Sequence, residues 1–261
     1  GVHVLESLFW RQLAGLPVVL IWLRMTGSLR DVKTRRPAGH AARMLVGLSA
    51  MAINYWAMTL LPLAQATTIG FAVPIFSTIL AALLLKEPTG RWRWMAVVVG
   101  FVGVLIVVRP DASVNLSGAS VALVGAAITA LATIIIRKLG RTETTGAIVF
   151  WFSLTSLVPL GIILPFVTGP HGGAAWGAIA LLSLAGAAAQ ICLTLSLKYA
   201  PVSVVLPMDY FGLFWATLYG WLLFGMLPDS STWIGAPIII LAGLVIVWRE
   251  HRQRQRAALS G

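Results

Sequence analysis

The sequence predicts an all-α polytopic membrane protein, and three observations carry that prediction. Hydrophobic residues occupy 59% of the 261 positions and charged residues only 10%, whereas an ordinary soluble domain has roughly 25% charged residues. The mean hydropathy is +0.90, which is more apolar surface than one globular core can hide from water. The apolar residues also form long runs without the alternation of a membrane barrel strand, so helices are expected. This composition excludes a soluble enzyme, a disordered chain and, because Cys192 is the single cysteine, a disulfide scaffold.

Nine hydrophobic segments can be distinguished, each close to the length of roughly 20 residues that a helix needs to cross the hydrocarbon core. They are Val4–Leu23, Met44–Leu61, Ala64–Leu85, Trp92–Val108, Ala119–Ile136, Gly146–Val167, Trp176–Leu197, Val202–Phe224 and Trp233–Trp248. The connections are short, which suits an antiparallel bundle. The first segment lacks the basic start of a signal peptide and contains Glu6 and Arg11, so it is not interpreted as one.

The positions of the positive charges predict the orientation of the chain. All but two of the 19 Lys and Arg residues lie in the connections that follow odd-numbered segments, within two residues of such a connection, or in the C-terminal tail; the exceptions are Arg11 and Arg109. The positive-inside rule therefore places those connections and the C-terminus in the cytoplasm. The net charge of +11 would suggest a nucleic-acid partner in a soluble protein, but here it indicates orientation in a lipid bilayer, and no nucleic acid is expected.

An internal repeat is indicated by two matches at one constant offset of 139 residues. Leu61-Pro62-Leu63-Ala64 matches Ala200-Pro201-Val202-Ser203, and Trp94-Met95-Ala96 matches Trp233-Ile234-Gly235. The matched segments are five apart, an odd number, so the two copies have opposite orientations in the membrane. Inverted repeats are typical of secondary transporters, whose site lies near the bilayer midplane. Two copies of five helices need ten, so we expect the first helix to be missing or truncated at the N-terminus.

Several motifs occur in a specific order in both halves. The first half contains Leu61-Pro62-Leu63-Ala64, Pro74, Lys86-Glu87, Trp94 and Gly100/Gly103. The second contains Ala200-Pro201, Pro207-Met208-Asp209-Tyr210, Phe224-Gly225, Pro228-Asp229, Trp233-Ile234-Gly235 and Gly243. With these motifs, Tyr55–Pro110 and Lys198–Glu250 resemble the two EamA domains of the drug/metabolite transporter superfamily. Phe9-Trp10-Arg11 is similar to the phenylalanine-x-arginine element of that family's second helix.

The resemblance implies a fold and an activity. It implies a ten-helix inverted repeat, with residues 1–110 as the first EamA copy and 111–261 as the second copy plus a short basic tail. It also implies cytoplasmic termini and residence in the bacterial inner membrane. This chain departs from the family at Met226, where a glutamate is expected after Phe224-Gly225, while the first-half glutamate is present as Glu87.

We therefore predict a secondary active transporter rather than an enzyme, carrying a small metabolite across the bacterial inner membrane by alternating access. Import or export, proton coupling or metabolite exchange, and assembly into a homodimer are left open. No cofactor or metal is expected, because there is no P-loop and the four histidines are scattered. The alternative is a membrane scaffold or lipid-translocating partner without a soluble substrate, but polar residues inside the second, seventh and eighth segments favour a water-accessible cavity.

The sharpest candidate for the site is Asp209, which lies inside its segment two residues after Pro207. A charge at the bilayer centre costs ~2.5–3.5 kcal/mol on insertion scales, so Asp209 is expected to face the bundle interior as a coupling residue or as a structural ion-pair partner. Pro207 and Pro74 are expected to break their helices at related positions beside the substrate. Ordinary proline kinks are the alternative.

Arg11 is predicted to bind a carboxylate or phosphate of the substrate. Its alternatives are bonds to backbone carbonyls or an outward orientation toward the headgroups. Glu6 lies about 140° away around the helix, so a direct pair is not expected. The other predicted substrate-binding residues are Asn54 and Gln190, with Tyr55, Tyr210 and Trp215 as aromatic walls. Asn54 and Gln190 recur at helical spacing with small residues, for which helix packing is the alternative role.

Overall fold

A computed structural model gives the structure of residues 2–26, 32–84, 91–108, 115–199 and 211–259. These described residues form ten α-helices and no strand. In chain order the helices are α1 Val4–Thr26, α2 Pro37–Leu60, α3 Leu63–Gly70, α4 Val73–Leu84, α5 Arg91–Val108, α6 Leu116–Leu139, α7 Thr145–Val167, α8 Gly173–Tyr199, α9 Phe211–Phe224 and α10 Ser230–Leu259. The all-helical prediction is confirmed for the described residues. Each of the nine predicted segments overlaps a described helix or pair of helices, and residues 202–210 of the eighth segment lie outside the described residues.

Five stretches of the described chain are long and apolar enough to cross a membrane, four of them single helices and one formed by α3 and α4 together. They are Val4–Met25, Leu63–Leu80, Leu116–Leu139, Thr145–Val167 and Gly173–Tyr199, and shorter apolar helices cover Trp94–Val108, Phe211–Phe224 and Ser230–Ile246. The helix α2 has 24 residues, which is also long enough, but His40, Arg43 and Asn54 lower its hydropathy. These helices support a polytopic membrane protein.

Two helices extend beyond the predicted segments. The predicted segments end at charged residues, because they were defined by hydropathy, whereas the helical backbone continues past those residues. The helix α2 begins at Pro37, seven residues before the predicted Met44. Proline suits a first helical turn because its missing N–H would have no partner there. The helix α10 continues past the predicted Trp248 as far as Leu259, through Arg, Gln, Glu and Ala residues that favour helix.

The third predicted segment is interrupted, as Pro74 predicts. The helix α3 ends at Gly70 and α4 begins at Val73, with a turn at Phe71–Ala72 between them. Pro74 has no N–H to donate to the carbonyl of Gly70. The Thr68 hydroxyl donates to the carbonyl of Ala64 at 2.8 Å, a back-bond that bends helices further.

The chain divides into two compact units. The first comprises Gly1–Ala52 and Ala132–Tyr199, and the second comprises Ile53–Leu131 and Ala200–Gly261. In the first unit, α1 packs against α7 and α8, and α7 packs against α8. The core there includes Val19, Leu23, Val149 and Ile191. Each unit therefore takes helices from both predicted EamA copies.

The second unit is built around the packing of α5 against α10, with α3, α4 and α9 beside them. Ile69, Ile75 and Val107 of its core are fully buried. A Cβ added to Gly235 would lie 2.7 Å from the carbonyl oxygen of Gly103. The two backbones therefore approach as closely as only small residues allow.

Helices at equivalent positions of the predicted repeat pack against each other. Within the first unit this pair is α1 and α7, and within the second unit the pairs are α3 with α9 and α5 with α10. The predicted boundary between the EamA copies, at residues 110 and 111, lies outside the described residues, so that boundary stays a prediction.

Candidate functional site

The first unit holds a buried cluster built around two arginines, which we call the arginine cluster: Arg11, Gly47, Met51, Arg43, Phe152 and Gly186. Arg11 lies on α1 and is only 8% exposed, while Arg43 lies on α2 and is 2% exposed. The Arg43 guanidinium lies against Gly47, and that of Arg11 contacts Met51 one turn later on α2, so both groups lie along the same face of that helix. The cluster therefore concentrates positive charge inside an apolar bundle.

The side chain of Arg11 reaches across to two other helices. Its Nη2 donates to the carbonyl oxygen of Gly186 on α8 at 3.2 Å, and its Nη1 donates to the sulfur of Met51 on α2 at 2.7 Å. Gly186 lies about 20 Å along a helix of roughly 40 Å, and Met51 about 21 Å along one of roughly 36 Å. Arg11 thus makes its contacts at the middle depth of both helices.

Arg43 is held by an aromatic face instead of an acid. Its Cζ lies 3.9 Å from the centroid of the Phe152 ring on α7, a distance at which a cation is attracted by the ring quadrupole. A Cβ added to Gly47, one turn later on α2, would collide with the Arg43 guanidinium, with Cζ at 2.8 Å. Glycine at position 47 is therefore what lets this guanidinium lie against its own helix.

Several polar atoms on these helices are buried without a hydrogen-bond partner. In the arginines they are Nε of Arg11 and both Nε and Nη1 of Arg43. The others on α1, α7 and α8 are Oε2 of Glu6, Nε2 of Gln12, Oγ1 of Thr145, Oγ of Ser156 and Nε2 of Gln190. A buried donor without an acceptor costs about 1–3 kcal/mol and more if it is charged. Such groups need a further partner in the native protein, which an ordered water, an ion or a bound ligand can supply.

No described carboxylate of the first unit neutralises the arginines. Its acidic residues among the described ones are Glu6 and Glu143, and both have other partners. Glu6 is fully buried near the start of α1 and accepts from Nε1 of Trp10 at 3.4 Å, the Thr168 hydroxyl at 3.0 Å and Nε2 of His171 at 2.9 Å. A cleft of about 580 Å³ opens beside it, lined by residues of the α1 start and of the connection between α7 and α8.

Glu143 is bound at the opposite end of the first unit. Its Oε1 accepts from the backbone N–H of Arg35 at 3.2 Å, and its Oε2 lies 3.7 Å from Nε2 of His40, longer than a hydrogen bond. Burial lowers the pKa of His40 below its ordinary value of 6.5, and the neighbouring Glu143 carboxylate opposes that shift only in part. His40 is therefore expected to be neutral at pH 7.

The predicted substrate residues fall in both units. Arg11 and Gln190 lie in the first unit, and Gln190 is buried one turn after Gly186 on α8. The second unit holds Asn54, Tyr55, Pro74 and Trp215. Three predicted residues, Pro207, Asp209 and Tyr210, lie outside the described residues.

The second-unit residues have defined surroundings. Asn54 donates to the Thr129 hydroxyl at 3.0 Å and to the carbonyl of Gly125 at 3.5 Å, which fastens α2 to α6. Tyr55 is half-buried and Pro74 is buried at the start of α4. Trp215 is 49% exposed and stacks on Tyr219 with the ring centroids 5.8 Å apart.

Arg43 is the residue that sequence reasoning missed, since it was counted among the cytoplasmic orientation charges. A signal for it was present in the sequence. Gly47, Ala50 and Asn54 recur at helical spacing, and one turn before Gly47 on the same face stands Arg43. A basic residue on the same helix face as a row of small residues points toward the neighbouring helices rather than toward solvent.

Apolar helices of membrane-spanning length around buried polar groups without partners define a polytopic membrane protein with an interior polar site. The EamA-like transporter family matches residues 1–109 and 116–248. The chain therefore belongs to the EamA-like transporter family.

Individual relatives agree with that assignment. A riboflavin transporter of Vibrio cholerae is 29% identical over 92% of this chain and 81% of its own length. A riboflavin transporter of Rhizobium johnstonii is 30% identical over 97% and 84%, and an S-adenosylmethionine uptake transporter of Rickettsia prowazekii is 29% identical over 96% and 85%. A protein of known crystal structure superposes with a TM-score of 0.69 at 18% identity, covering 95% of this chain and 88% of that one. At that identity the likeness concerns the fold alone.

These findings confirm the family that the motifs indicated and the class of protein. The chain is a transporter, not an enzyme. Its apolar helices and its bacterial transporter relatives together support a multi-pass protein of the inner membrane.

Proposed function

We propose that this protein takes up a small metabolite across the bacterial inner membrane by alternating access, with its C-terminus in the cytoplasm. The observation that carries the proposal is the arginine cluster, in which two buried guanidinium groups have no acidic partner among the described residues and Arg11 makes its contacts at the middle depth of two long helices. Charged residues in such positions mark substrate or ion pathways, because burying them without a function is costly. A membrane scaffold has no need for donors of this kind.

Uptake is favoured over export by the relatives. The Rickettsia relatives are named S-adenosylmethionine uptake transporters, and the other curated relatives include two riboflavin transporters. Both named compounds are polar, carry an aromatic heterocycle and are about the size of a nucleoside. We therefore infer a substrate of that class, namely a ring system with hydrogen-bonding substituents.

Alternating access is supported by the way equivalent helices meet. In an inverted repeat, a substrate reaches either side of the membrane when one half rocks against the other around a fixed site. The pairing of α1 with α7, α3 with α9 and α5 with α10 is what a pseudo-two-fold relation between the copies would produce. Pro74 supports a hinge in this scheme, because it interrupts a helix in the interior of the second unit.

The proposed roles follow from these contacts. Arg11 and Gln190 bind polar groups of the substrate, and Asn54, Tyr55 and Trp215 are proposed as further contacts. The cleft beside Glu6, at the end of the first unit assigned to the outside, is the proposed mouth. Pro207, Asp209 and Tyr210 keep their predicted roles, with Asp209 as the proton-coupling residue.

The test is uptake into proteoliposomes that contain the purified protein, with labelled riboflavin and labelled S-adenosylmethionine as the first substrates and a metabolite panel after them. We expect saturable uptake of at least one compound that is absent from protein-free vesicles and competed by its unlabelled form. The absence of uptake and of ligand-dependent thermal stabilisation across the whole panel would favour the scaffold alternative. Uptake that ignores an imposed proton gradient, together with an unchanged rate in Asp209→Asn, would remove proton coupling from the scheme.

A further inference from the structure

We propose that Arg11 and Arg43 together bind an anionic oxygen group of the transported metabolite, a carboxylate or a phosphate, an inference that rests on the proposed function. The observation behind it is a pair of buried guanidinium groups on one face of α2, since Arg43 lies against Gly47 and Arg11 contacts Met51 one turn later. An anion between them would satisfy both charges at once.

The first argument is the balance of hydrogen-bond donors. A guanidinium group has five N–H donors and no acceptor. Two nitrogens of Arg11 donate to the Gly186 carbonyl and to the weakly accepting sulfur of Met51. Its buried Nε has no hydrogen-bond partner. Arg43 has a partnerless Nε and Nη1, and its cation–π contact with Phe152 supplies no oxygen acceptor for them.

The second argument is the shape of the surroundings. A Cβ added at Gly186 would collide with the Arg11 side chain, with Cδ at 2.9 Å, and one at Gly47 would collide with Arg43. Two glycines on two helices thus leave room for two guanidinium groups inside the bundle. Long basic side chains near helix ends ordinarily turn toward the headgroups, so this inward placement indicates a use for the charge.

The third argument is the chemistry of the missing partner. Unpaired buried charges are stabilised only by an opposite charge with good hydrogen-bond geometry. Guanidinium groups match carboxylate and phosphate oxygens with two parallel N–H···O bonds. The other partnerless neutral groups on α1, α7 and α8 belong to Gln12, Thr145, Ser156 and Gln190, so they can orient a substrate but cannot supply the countercharge. Oε2 of Glu6 is also without a partner, but this carboxylate lies near the start of α1, where its other oxygen is bonded to Thr168 and His171.

The experiment compares compounds that differ by one anionic group. Decarboxylated S-adenosylmethionine lacks the carboxylate of S-adenosylmethionine, and flavin mononucleotide adds a phosphate to riboflavin. Binding of these four compounds and of inorganic phosphate is measured on the purified protein by thermal stabilisation and by competition against the transported compound. We expect the anionic member of at least one pair to bind about 10–100-fold more tightly than its neutralised counterpart, the range expected for one charge-assisted hydrogen-bond set. The pair that discriminates identifies the anion as carboxylate or phosphate.

The variants Arg11→Gln and Arg43→Gln are expected to remove this preference while binding of the compound without the anion persists. Arg36→Gln is the matched control, because Arg36 is exposed and its replacement removes one positive charge without touching the cluster. Arg11→Lys and Arg43→Lys keep the positive charge. If they fold and still prefer the anionic compound while the glutamine variants do not, the loss in the glutamine variants is a loss of binding and not of folding. Inorganic phosphate should also compete with the anionic compound of the pair for binding to the wild-type protein, a test that does not depend on any variant folding.

Three results would overturn the inference. One is equal affinity for both members of each pair, a second is a preference that survives in both glutamine variants, and a third is the absence of stabilisation by every anionic probe. If a compound without the anion is still taken up in those cases, the proposed transport function stands and only the anion site fails. If nothing on the metabolite panel is transported or bound, the proposed function fails as well.

Discussion

The carboxylate of Glu6 accepts hydrogen bonds from three side chains near the start of α1. Trp10 comes from the same helix, whereas Thr168 and His171 come from the connection between α7 and α8. The fully buried Glu6 therefore fastens that connection to α1, beside the cleft proposed as the mouth.

Replacing Glu6 by Gln should lower the stability of the protein. The amide keeps the shape of the side chain but loses the charge that strengthens the bonds from Thr168 and His171, each of which is worth about 1.5–3 kcal/mol when charge-assisted. A loss of about 2 kcal/mol corresponds to a melting temperature lower by roughly 4–8 °C in a chain of this size. Thermal unfolding in detergent measures it, with the exposed His3→Gln as the control. Equal melting temperatures for Glu6→Gln and wild type would show that the bonds contribute nothing.

The imidazole of His40 gives a prediction about pH. Burial lowers its pKa below 6.5 in the folded protein, with Glu143 opposing the shift in part. The unfolded chain thus binds this proton more tightly than the folded protein does. The contribution of His40 to stability is therefore complete above pH 6.5 and is lost as the pH falls through the lowered folded-state pKa.

We expect the melting temperature of wild type to fall between pH 6.5 and acidic pH more steeply than that of His40→Gln, which cannot titrate. The readout is the difference between the two curves, since other groups also titrate over this range and affect both proteins. His3→Gln, at an exposed histidine, should follow the wild-type curve. Parallel curves for wild type and His40→Gln would contradict the assigned shift.

How much of the candidate site the sequence predicts depends on whether each residue stands out from the hydropathy pattern around it. Arg11 stands out because it interrupts an apolar segment, and the structure buries it. Arg43 stands at the end of its segment, where hydropathy cannot distinguish an orientation charge from an inward-facing one. That distinction depends on Gly47 and on the Phe152 ring, which comes from a helix about a hundred residues away in the chain. Only the fold brings these groups together.

At the scale of helices, proline alone does not decide where a helix ends. Pro17, Pro159, Pro165 and Pro237 lie inside continuous helices, whereas a break precedes Pro74. The continuous α7 has a glycine four residues before Pro165 and a threonine hydroxyl bonded back one turn before Pro159, but at different prolines. What distinguishes Pro74 is that both features precede it, as Gly70 and as the Thr68 hydroxyl bonded back to Ala64. Glycine weakens a helix through its backbone freedom, so proline, glycine and threonine act together there.

The variant Pro74→Ala should join α3 and α4 into one helix. Alanine supplies the N–H that can donate to the Gly70 carbonyl, so we expect stability to rise by about 1 kcal/mol. If the break is a hinge for alternating access, the initial rate of uptake should fall at the same time. Pro159→Ala is the matched control, because it gains the same bond inside the continuous α7. A rate for Pro74→Ala equal to that of Pro159→Ala would remove the hinge role.

At the scale of the whole molecule, the hydrophobic segments predicted the helices because burying the backbone in lipid leaves few alternatives to helix. Their ends were less predictable, since α2 and α10 continue into charged sequence whose interactions are not encoded in hydropathy. The repeat offset identified equivalent helices without predicting that they pack together. For α5 and α10 that packing depends on the close approach of Gly103 and Gly235. Such a contact depends on how two helix surfaces fit together, which the hydropathy of a single segment does not show.

The orientation of the chain is the last prediction, and it depends on charge alone. The residues 24–43, which join the first two predicted segments, contain six Lys and Arg residues, of which Arg43 is buried in the fold, whereas the connection around Gly169 contains none. The insertion of membrane helices leaves such basic connections in the cytoplasm. The single Cys192 is exposed, so it is first replaced by Ser, and one new cysteine is then introduced as Gly169→Cys or Lys33→Cys, both at exposed positions. His171 is avoided because it is bonded to Glu6.

An impermeant thiol reagent applied to intact cells should label Gly169→Cys and leave Lys33→Cys unlabelled, and permeabilised cells should label both. The permeabilised sample is the control for reactivity, since a cysteine that fails there is shielded rather than cytoplasmic. Lys33→Cys removes only one of the six positive charges in its connection, so the charge difference that sets the orientation persists in the variant. Labelling of Lys33→Cys but not of Gly169→Cys in intact cells would show that the chain has the opposite orientation in the membrane. It would also place the cleft beside Glu6 on the cytoplasmic side, and that cleft would then be a release site for an imported metabolite.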